Sequence, residues 1–229
     1  MQYVITPTEQ PSVAVAGASA RFPVRRIFCV GQNYADHARE MGSDPDRKPP
    51  FFFCKPGDAV HASGTPWPYP SRTDDLHHEI ELVVALAQGG REIAKDSALD
   101  CIYGYAVGID WTRRDLQAAA KKEGRPWDAA KGFDHAATIG PIQPRAATGH
   151  IASGRIWLAV DGVVKQNGDV SQLIWSIPEV IAELSTLFEL RAGDLIYTGT
   201  PAGVGAVRRG QRIAGGIEGL GEISVDVTS

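Results

Sequence analysis

The chain has 229 residues, enough to bury the core of one large domain, and its 43% hydrophobic and 22% charged residues are ordinary for a soluble globular protein. A net charge of -4 without any basic block argues against a nucleic-acid partner, and the apolar runs are too short to cross a bilayer. The three cysteines lack CxxC spacing and the N-terminus lacks the order of a secretory signal, so we expect a protein of the reducing cytoplasm.

The first 24 residues combine Pro7, Pro11 and Pro23 with small residues. This composition predicts an irregular arm with at most short strands. We therefore separate residues 1–24, which stay unassigned, from a single domain over residues 25–229.

A buried strand is predicted over 26–30, and a short helix over 34–41 follows a turn-rich corner. His37 and Glu40 are three residues apart and share one face of that helix. Together with the loop 44–50, the helix could form a lid over a site. The competing interpretation is a surface helix with an incidental histidine and glutamate.

The segment 76–86, LHHEIELVVAL, predicts a strand that enters the core. Glu79 and Glu81 are two residues apart, so their carboxylates project from the same face of the strand. Two like charges repel each other, and a divalent cation is the usual compensation. The competing interpretation is an exposed strand face with two solvated glutamates. His77 and His78 point to opposite faces, so at most one of them can accompany the carboxylates, and we expect a core or supporting role.

A second strand is predicted over 103–110, with Asp110 at its C-terminal end. The helix that follows ends at Gly124, and we predict Thr112 as its N-cap with Asp115 in an imperfect capping box. Asp110 adds a third carboxylate to Glu79 and Glu81. An all-oxygen ligand set of this kind selects a hard cation, namely Mg²⁺, Mn²⁺ or Ca²⁺.

The remaining elements are mostly strands, with a core-facing helix between them. The sequence predicts a strand at 51–55, a β-hairpin at 156–165, a helix at 176–190, a strand at 194–198 before a glycine-rich loop, and a final strand at 217–227. The helices are too few for a doubly wound sheet, so we expect a β-rich α+β fold.

Six separated motifs, in this order, carry a resemblance to a known family. They are GQNYADHAREM at 31–41, FFFCKP at 51–56, LHHEIELVV at 76–84, GYAVGIDWTRRDLQ at 104–117, WDAAKGFD at 127–134 and GDLIYTGTPAGVG at 193–205. The chain resembles the fumarylacetoacetate hydrolase family, and in particular its small acylpyruvase branch. The resemblance covers about residues 30–227, so the arm at 1–24 lies outside it.

The resemblance implies a mixed β-roll, usually a homodimer, with residues 25–229 as a single catalytic domain. It implies that Mg²⁺ or Mn²⁺ is bound by Glu79, Glu81 and Asp110. It implies that His37 and Glu40 sit on a lid and activate water, and that the substrate is contacted by Lys131, Arg114, Gln117 and Thr200. Of these, His37, Glu40 and Lys131 would be the catalytic residues.

The activity implied is cleavage of a carbon–carbon bond in a 2,4-diketo acid, with fumarylpyruvate of gentisate-type aromatic breakdown as the expected substrate. The distal carboxylate would need a basic group, for which Arg114, Arg47 and Lys48 are candidates. Oxaloacetate decarboxylation, which forms the same pyruvate enolate, is one alternative, and isomerisation or tautomerisation of a 2-oxo acid at the same site is another. A non-catalytic β-rich binding module is the alternative from another class. We expect neither nucleic acid nor membrane as a partner.

Overall fold

Strands dominate the fold. The computed structural model describes residues 2–42 and 48–228. The strands within these ranges are β1 (Ser12–Ala14), β2 (Arg21–Pro23), β3 (Arg26–Gly31), β4 (Phe51–Lys55), β5 (Val60–Ala62), β6 (Pro66–Pro68), β7 (Leu76–His78), β8 (Ile80–Leu86), β9 (Ile102–Asp110), β10 (Thr112–Arg113), β11 (Ala137–Ile139), β12 (Gln143–Pro144), β13 (Arg155–Val160), β14 (Val163–Asp169), β15 (Asp194–Tyr197), β16 (Gly205–Val207), β17 (Arg212–Ile217) and β18 (Gly221–Thr228).

The helices are short. In the described part of the chain they are α1 (Ala35–Glu40), α2 (Arg114–Glu123), α3 (Asp128–Lys131), α4 (Arg145–Thr148) and α5 (Ile177–Leu187), with 3₁₀ turns at Gly57–Ala59, Lys95–Cys101 and Val170–Gln172. No helix among residues 2–42 and 48–228 has the length and apolar character needed to span a membrane.

An eight-stranded mixed sheet forms the centre of the molecule, in the order β4-β3-β15-β8-β9-β11-β5, with β12 pairing with β9. The pairs β3–β15 and β5–β11 are parallel, and the pairs of β8 with β15 and β9 are antiparallel. A five-stranded sheet, β14-β13-β17-β18-β6, and a three-stranded sheet, β10-β7-β16, complete the roll together with the β1–β2 pair. The predicted β-rich α+β class is confirmed.

Two apolar clusters lie on opposite faces of the central sheet, because side chains alternate along β8. Leu82 and Val84 join the larger cluster, which includes α5 and the five-stranded sheet, whereas Val83 joins the smaller one. The smaller cluster also contains Val13 and Phe22 from the β1–β2 pair. The N-terminal segment therefore does form short strands, and it shares a core with the domain that follows it.

The chain changes sheets at Glu79, which corrects the single strand predicted over 76–86. His77 in β7 pairs with Thr112 and Ala206, whereas Ile80 and the rest of β8 pair with β9 and β15. Glu79 lies at the junction, belongs to neither strand, and is thereby directed toward the end of β9.

Thr112 is not the N-cap of α2, contrary to prediction. It lies in β10, where its hydroxyl donates to the carbonyl of Asp110 at 3.3 Å. The predicted partner Asp115 instead accepts hydrogen bonds from the Thr73 hydroxyl at 2.7 Å and the Asp74 backbone at 3.1 Å. Pairing of β10 with β7 therefore keeps Thr112 extended and moves the start of the helix to Arg114.

Other local predictions agree with the structure. Helix α5 follows the cap Ser176, which shares a capping box with Glu179. The hairpin of β13 and β14 turns at Asp161 and Gly162, which have φ angles of 48° and 80°, as a two-residue turn with positive φ requires. Residues 66–68 form β6, which pairs with β18 and in which Trp67 is fully buried and stacks on Trp111.

Candidate active site

Three buried carboxylates meet where β8 begins and β9 ends. The backbone N–H of Asp110 donates to the carbonyl of Glu79 at 2.9 Å, which places the junction beside the end of β9. One carboxylate oxygen from each of Glu79, Glu81 and Asp110 lies within 4.8 Å of the other two, and the residues are only 4%, 2% and 1% exposed. The alternative of solvated glutamates on an exposed strand is therefore wrong.

The donor set fits a hard divalent cation. Asp110 Oδ1 is buried and accepts no well-directed hydrogen bond, although Lys55 Nζ lies 2.7 Å away as an ion pair. Glu81 accepts from the backbone N–H of Gly199 at 2.8 Å through Oε2. Burial, and then the charges of Asp110 and Glu79, raise the pKa of Glu81 well above its usual range. A cation held by these oxygens would relieve that repulsion.

Two cations hold Glu79 on both of its oxygens. Lys131 Nζ donates to Glu79 Oε2 at 2.7 Å and to Asp110 Oδ2 at 2.8 Å, and Arg114 pairs with Glu79 Oε1. Burial alone would raise the pKa of Glu79, but Lys131 and Arg114 outweigh it and hold that pKa below its usual range. Burial would lower the pKa of Lys131, but Asp110 and Glu79 outweigh it and raise that pKa. Lys131 is therefore a charged lysine inside the site, not a solvated loop residue.

Lys55 is a site residue that the sequence analysis missed. It is 1% exposed, and its ammonium group pairs with Asp110, donates to the Trp111 carbonyl at 3.1 Å and donates to the Lys131 carbonyl. The signal was present, because Lys55 ends the apolar run FFFC, and a buried lysine requires a charged partner. Lys55 links β4, the end of β9 and α3 around the carboxylates.

His37 is held in one orientation over the site. It is 5% exposed, and its Nδ1 lies 3.1 Å from Glu40 Oε2. Glu40 in turn accepts the backbone N–H of Gly203 on both oxygens, at 3.1 and 3.2 Å. If Nδ1 carries the proton given to Glu40, Nε2 presents a lone pair. The histidine is therefore buried and held by Glu40, and it is not the incidental surface residue of the competing interpretation.

The glycine-rich loop after β15 donates backbone hydrogen bonds to two carboxylates of the site. Gly199 donates its N–H to Glu81, and Gly203 donates its N–H to Glu40. In the structure these backbone groups fix a carboxylate of the proposed metal set and the partner of the histidine.

Arg114 is engaged on three sides. Its Nη1 donates to Gln117 Oε1 at 2.6 Å, its Nε donates to His77 Nδ1 at 3.3 Å, and it pairs with Glu79. His77 Nε2 lies 2.9 Å from Asp75 Oδ1, which fixes the ring. Arg114 and Gln117 are three residues apart and share one face of α2, and His77 has the supporting role that was expected.

Thr200 lines the site with its hydroxyl already used. The hydroxyl donates to the Ile80 carbonyl at 2.7 Å and accepts from Gln166 Nε2 at 2.8 Å. Gln166 also lies 2.9 Å from Nδ1 of His78, and burial lowers the pKa of His78 to about 4. His78 is therefore a neutral core histidine behind the site, on the opposite side from His77.

Similarity to known proteins identifies the family of the chain. The model of the family described as "Fumarylacetoacetate (FAA) hydrolase C-terminal" matches residues 26–228. The chain belongs to the fumarylacetoacetate hydrolase family. It is 46% identical over 177 residues to a fumarylpyruvate hydrolase from Ralstonia sp, covering 77% of this chain and 92% of that protein.

Other members of the fumarylacetoacetate hydrolase family are similar over most of the chain. A mitochondrial oxaloacetate tautomerase from Arabidopsis thaliana is 42% identical over 202 residues, covering 88% of this chain and 90% of that protein. The crystal structure of fumarylpyruvate hydrolase from Pseudomonas aeruginosa in complex with Mn²⁺ and pyruvate matches with a TM-score of 0.97 at 52% identity, covering 99% of each chain. The predicted resemblance and the fold of this family are confirmed.

One cavity unites the residues singled out from the family motifs. Of the nine site residues predicted, all except Glu40 line it, and Glu40 acts on it through His37. Its other walls include Phe51, Phe53, Trp127 and Lys121, which the sequence analysis did not single out.

Of the other candidates for a distal carboxylate, Lys48 does not line this cavity and Arg47 lies outside the described residues.

Proposed function

We propose that this protein is a metal-dependent acylpyruvate hydrolase that converts a 2,4-diketo acid and water into a carboxylic acid and pyruvate, with fumarylpyruvate as its substrate. The observation that carries the proposal is the buried His37, tied through Nδ1 to Glu40, in the same cavity as three carboxylates suited to a cation. The similarity to two fumarylpyruvate hydrolases supports the choice of substrate.

We propose Mg²⁺ or Mn²⁺ as the cation, held by Glu79, Glu81 and Asp110. When bound, such a cation withdraws negative charge from the carboxylate and 2-oxo oxygens of the substrate. The Mn²⁺ in the Pseudomonas aeruginosa structure supports this class of metal.

The residues of the chain account for the remaining chemistry. His37 Nε2 takes a proton from water, and the resulting hydroxide adds to the distal carbonyl carbon. The bond between that carbon and C3 then breaks, the acyl half leaves as a carboxylic acid, and C3 takes the proton held on His37 Nε2 to give pyruvate. Lys131 supplies a fixed positive charge beside Glu79 and Asp110, where negative charge builds up on the pyruvate half.

An assay of the purified protein with Mn²⁺ tests this proposal. Fumarylpyruvate should lose its diketo absorbance, and pyruvate and fumarate should appear in equal amounts. Loss of absorbance without pyruvate would contradict hydrolysis.

Oxaloacetate tautomerisation is a second candidate, because one similar relative is an oxaloacetate tautomerase. This reaction moves a proton between carbon and oxygen and needs no attacking water. The enol of oxaloacetate, followed by its absorbance with and without the protein, distinguishes the two. A faster decay of the enol, with no turnover of fumarylpyruvate, would favour the tautomerase.

We further propose that the protein is a homodimer, as the family resemblance implies, and that it lies in the cytoplasm, as its scattered cysteines favour. Light scattering after size exclusion tests the dimer, and a mass corresponding to 24.6 kDa would contradict it.

A further inference from the structure

The positively charged side chains that line the cavity differ in whether they already form ion pairs. Three lysine or arginine side chains among the described residues line it: Arg114, Lys121 and Lys131. Lys131 pairs with Glu79 and Asp110, and Arg114 pairs with Glu79. The Lys121 side chain is exposed and forms no ion pair or hydrogen bond with any described residue. It can therefore accept an incoming anion without breaking an existing contact.

Lys121 lies on the same face of α2 as the residues nearer the carboxylates. It follows Gln117 by one helical turn and Arg114 by two turns. Seven residues of α-helix rise about 10 Å. Lys121 therefore lies about that far along α2 from Arg114, the residue that pairs with Glu79 at the start of the helix. A long flexible side chain can swing its charge inward from there.

An aromatic wall belongs to the same cavity. Phe51 and Phe53 both pack against Trp127, with ring centroids 5.6 and 5.8 Å apart. Planar rings pack well against a flat conjugated chain. In fumarylpyruvate the unsaturated carbons between the distal carbonyl and the terminal carboxylate form such a chain.

We propose that Lys121 binds the terminal carboxylate of the acyl half, so that the site prefers acylpyruvates whose acyl group is itself an acid. This inference rests on the proposed function, and it replaces Arg114, which the structure shows engaged by Glu79, His77 and Gln117. In a seven-carbon diketo diacid the 2-oxo carbon lies about 6 Å from the terminal carboxyl carbon, at ordinary bond lengths. The length of α2 between Arg114 and Lys121, together with the reach of a lysine, accommodates that span.

Binding is measured first, with acids that cannot be cleaved. Calorimetry on the Mn²⁺-loaded protein would compare 2-oxoheptanedioate with 2-oxoheptanoate, which differ only in the terminal carboxylate. The wild type should bind the diacid about fivefold more tightly, as expected for one partly exposed ion pair, and the preference should shrink at high salt. Lys121→Met should remove the preference, and Lys121→Arg should keep it.

Lys122 provides a matched control. It is the adjacent lysine on the same helix, is exposed, and does not line the cavity. Lys122→Met should keep the preference for the diacid. Equal preference in Lys121→Met and Lys122→Met would overturn the proposal, because charge near the cavity mouth would then act without any specific contact.

Turnover gives the second readout. In Lys121→Met, kcat/KM for fumarylpyruvate should fall about fivefold, mostly through KM, while kcat/KM for neutral acetylpyruvate stays unchanged. An equal loss for both substrates would overturn the subsite. If the wild type cleaved neither substrate but kept a preference for the diacid that depends on Lys121, the hydrolase proposal would fail and the subsite would stand.

Discussion

The carboxylates and the histidine of the site rest on different kinds of structure. Glu81 and Asp110 lie in β8 and β9, two inner strands of the eight-stranded sheet, Glu79 immediately precedes β8, and buried lysines brace these carboxylates. His37 and Glu40 lie on α1, a helix of six residues. Such a short helix is not stable by itself, so it depends on contacts such as the one from Gly203 to Glu40.

This difference separates binding from chemistry. A braced and buried set of carboxylates keeps its geometry when α1 is altered, so it is suited to hold a cation continuously. A short helix that carries a base can move as substrate enters and leaves. Changes in the two regions should therefore have separable effects, and each prediction below tests that separation.

The largest effect is expected at the carboxylates. Asp110→Asn keeps the shape of the side chain but removes a charge, so it should weaken Mn²⁺ binding and lower every activity of the site by about 10³-fold or more, equivalent to several kcal/mol. Calorimetry with Mn²⁺ and assays of hydrolysis and of oxaloacetate turnover measure this. The exposed Glu222 offers a control, because Glu222→Gln should change neither. Full activity of the wild type after exhaustive chelation would refute metal dependence.

The next effect is expected at the histidine. His37→Ala should lower hydrolysis by about 10²-fold, the low end for a missing general base, because the attacking water loses its proton acceptor. Binding of Mn²⁺ and of oxalate, a mimic of the pyruvate half, should be nearly unchanged, since neither contacts the base. Calorimetry and kcat measure the two effects. Hydrolysis at the wild-type rate would mean that the histidine is not the base.

Lys131 tests the brace within the carboxylate set. Lys131→Met removes a charged donor to Glu79 and Asp110, so we expect about a 30-fold loss in kcat/KM, as for a lost charge-assisted hydrogen bond. The variant should fold, because methionine fills similar volume, and far-ultraviolet circular dichroism checks this. Unchanged kinetics would show that Lys131 only balances charge in the site.

Short-range spacing predicted the parts of the site that are close in sequence. Glu79 and Glu81, two residues apart, both reach the site although the chain changes sheets at Glu79, and His37 meets Glu40 because they are three apart on one helix. Asp110 required only the end of a strand to be placed correctly. These positions depend on local backbone geometry, which a sequence pattern contains.

Long-range pairing decided what the sequence analysis missed. Lys55 meets Asp110 only because β4 and β9 belong to one sheet, and β6 forms only because it pairs with the C-terminal strand β18. Pairing of β10 with β7 likewise displaced Thr112 from its predicted cap. Local propensity yields to such tertiary contacts, so a pattern read along one segment could not reveal them.

The smallest effect is expected at Glu40, which acts through His37. In Glu40→Gln one amide oxygen would have to accept from both Gly203 N and His37 Nδ1, where the wild type uses two carboxylate oxygens. The imidazole would be held less firmly, and it would lose the negative charge that stabilises its protonated form during the reaction. We therefore expect about a tenfold loss in kcat, smaller than for His37→Ala, with oxalate affinity unchanged. Asp36→Asn is the matched control, because Asp36 is an exposed carboxylate on the same helix that pairs only with Arg39 among the described residues, and its kcat should match the wild type. If Glu40→Gln also weakened oxalate binding tenfold, the helix would be part of the binding half of the site, and the separation of binding from chemistry would be wrong.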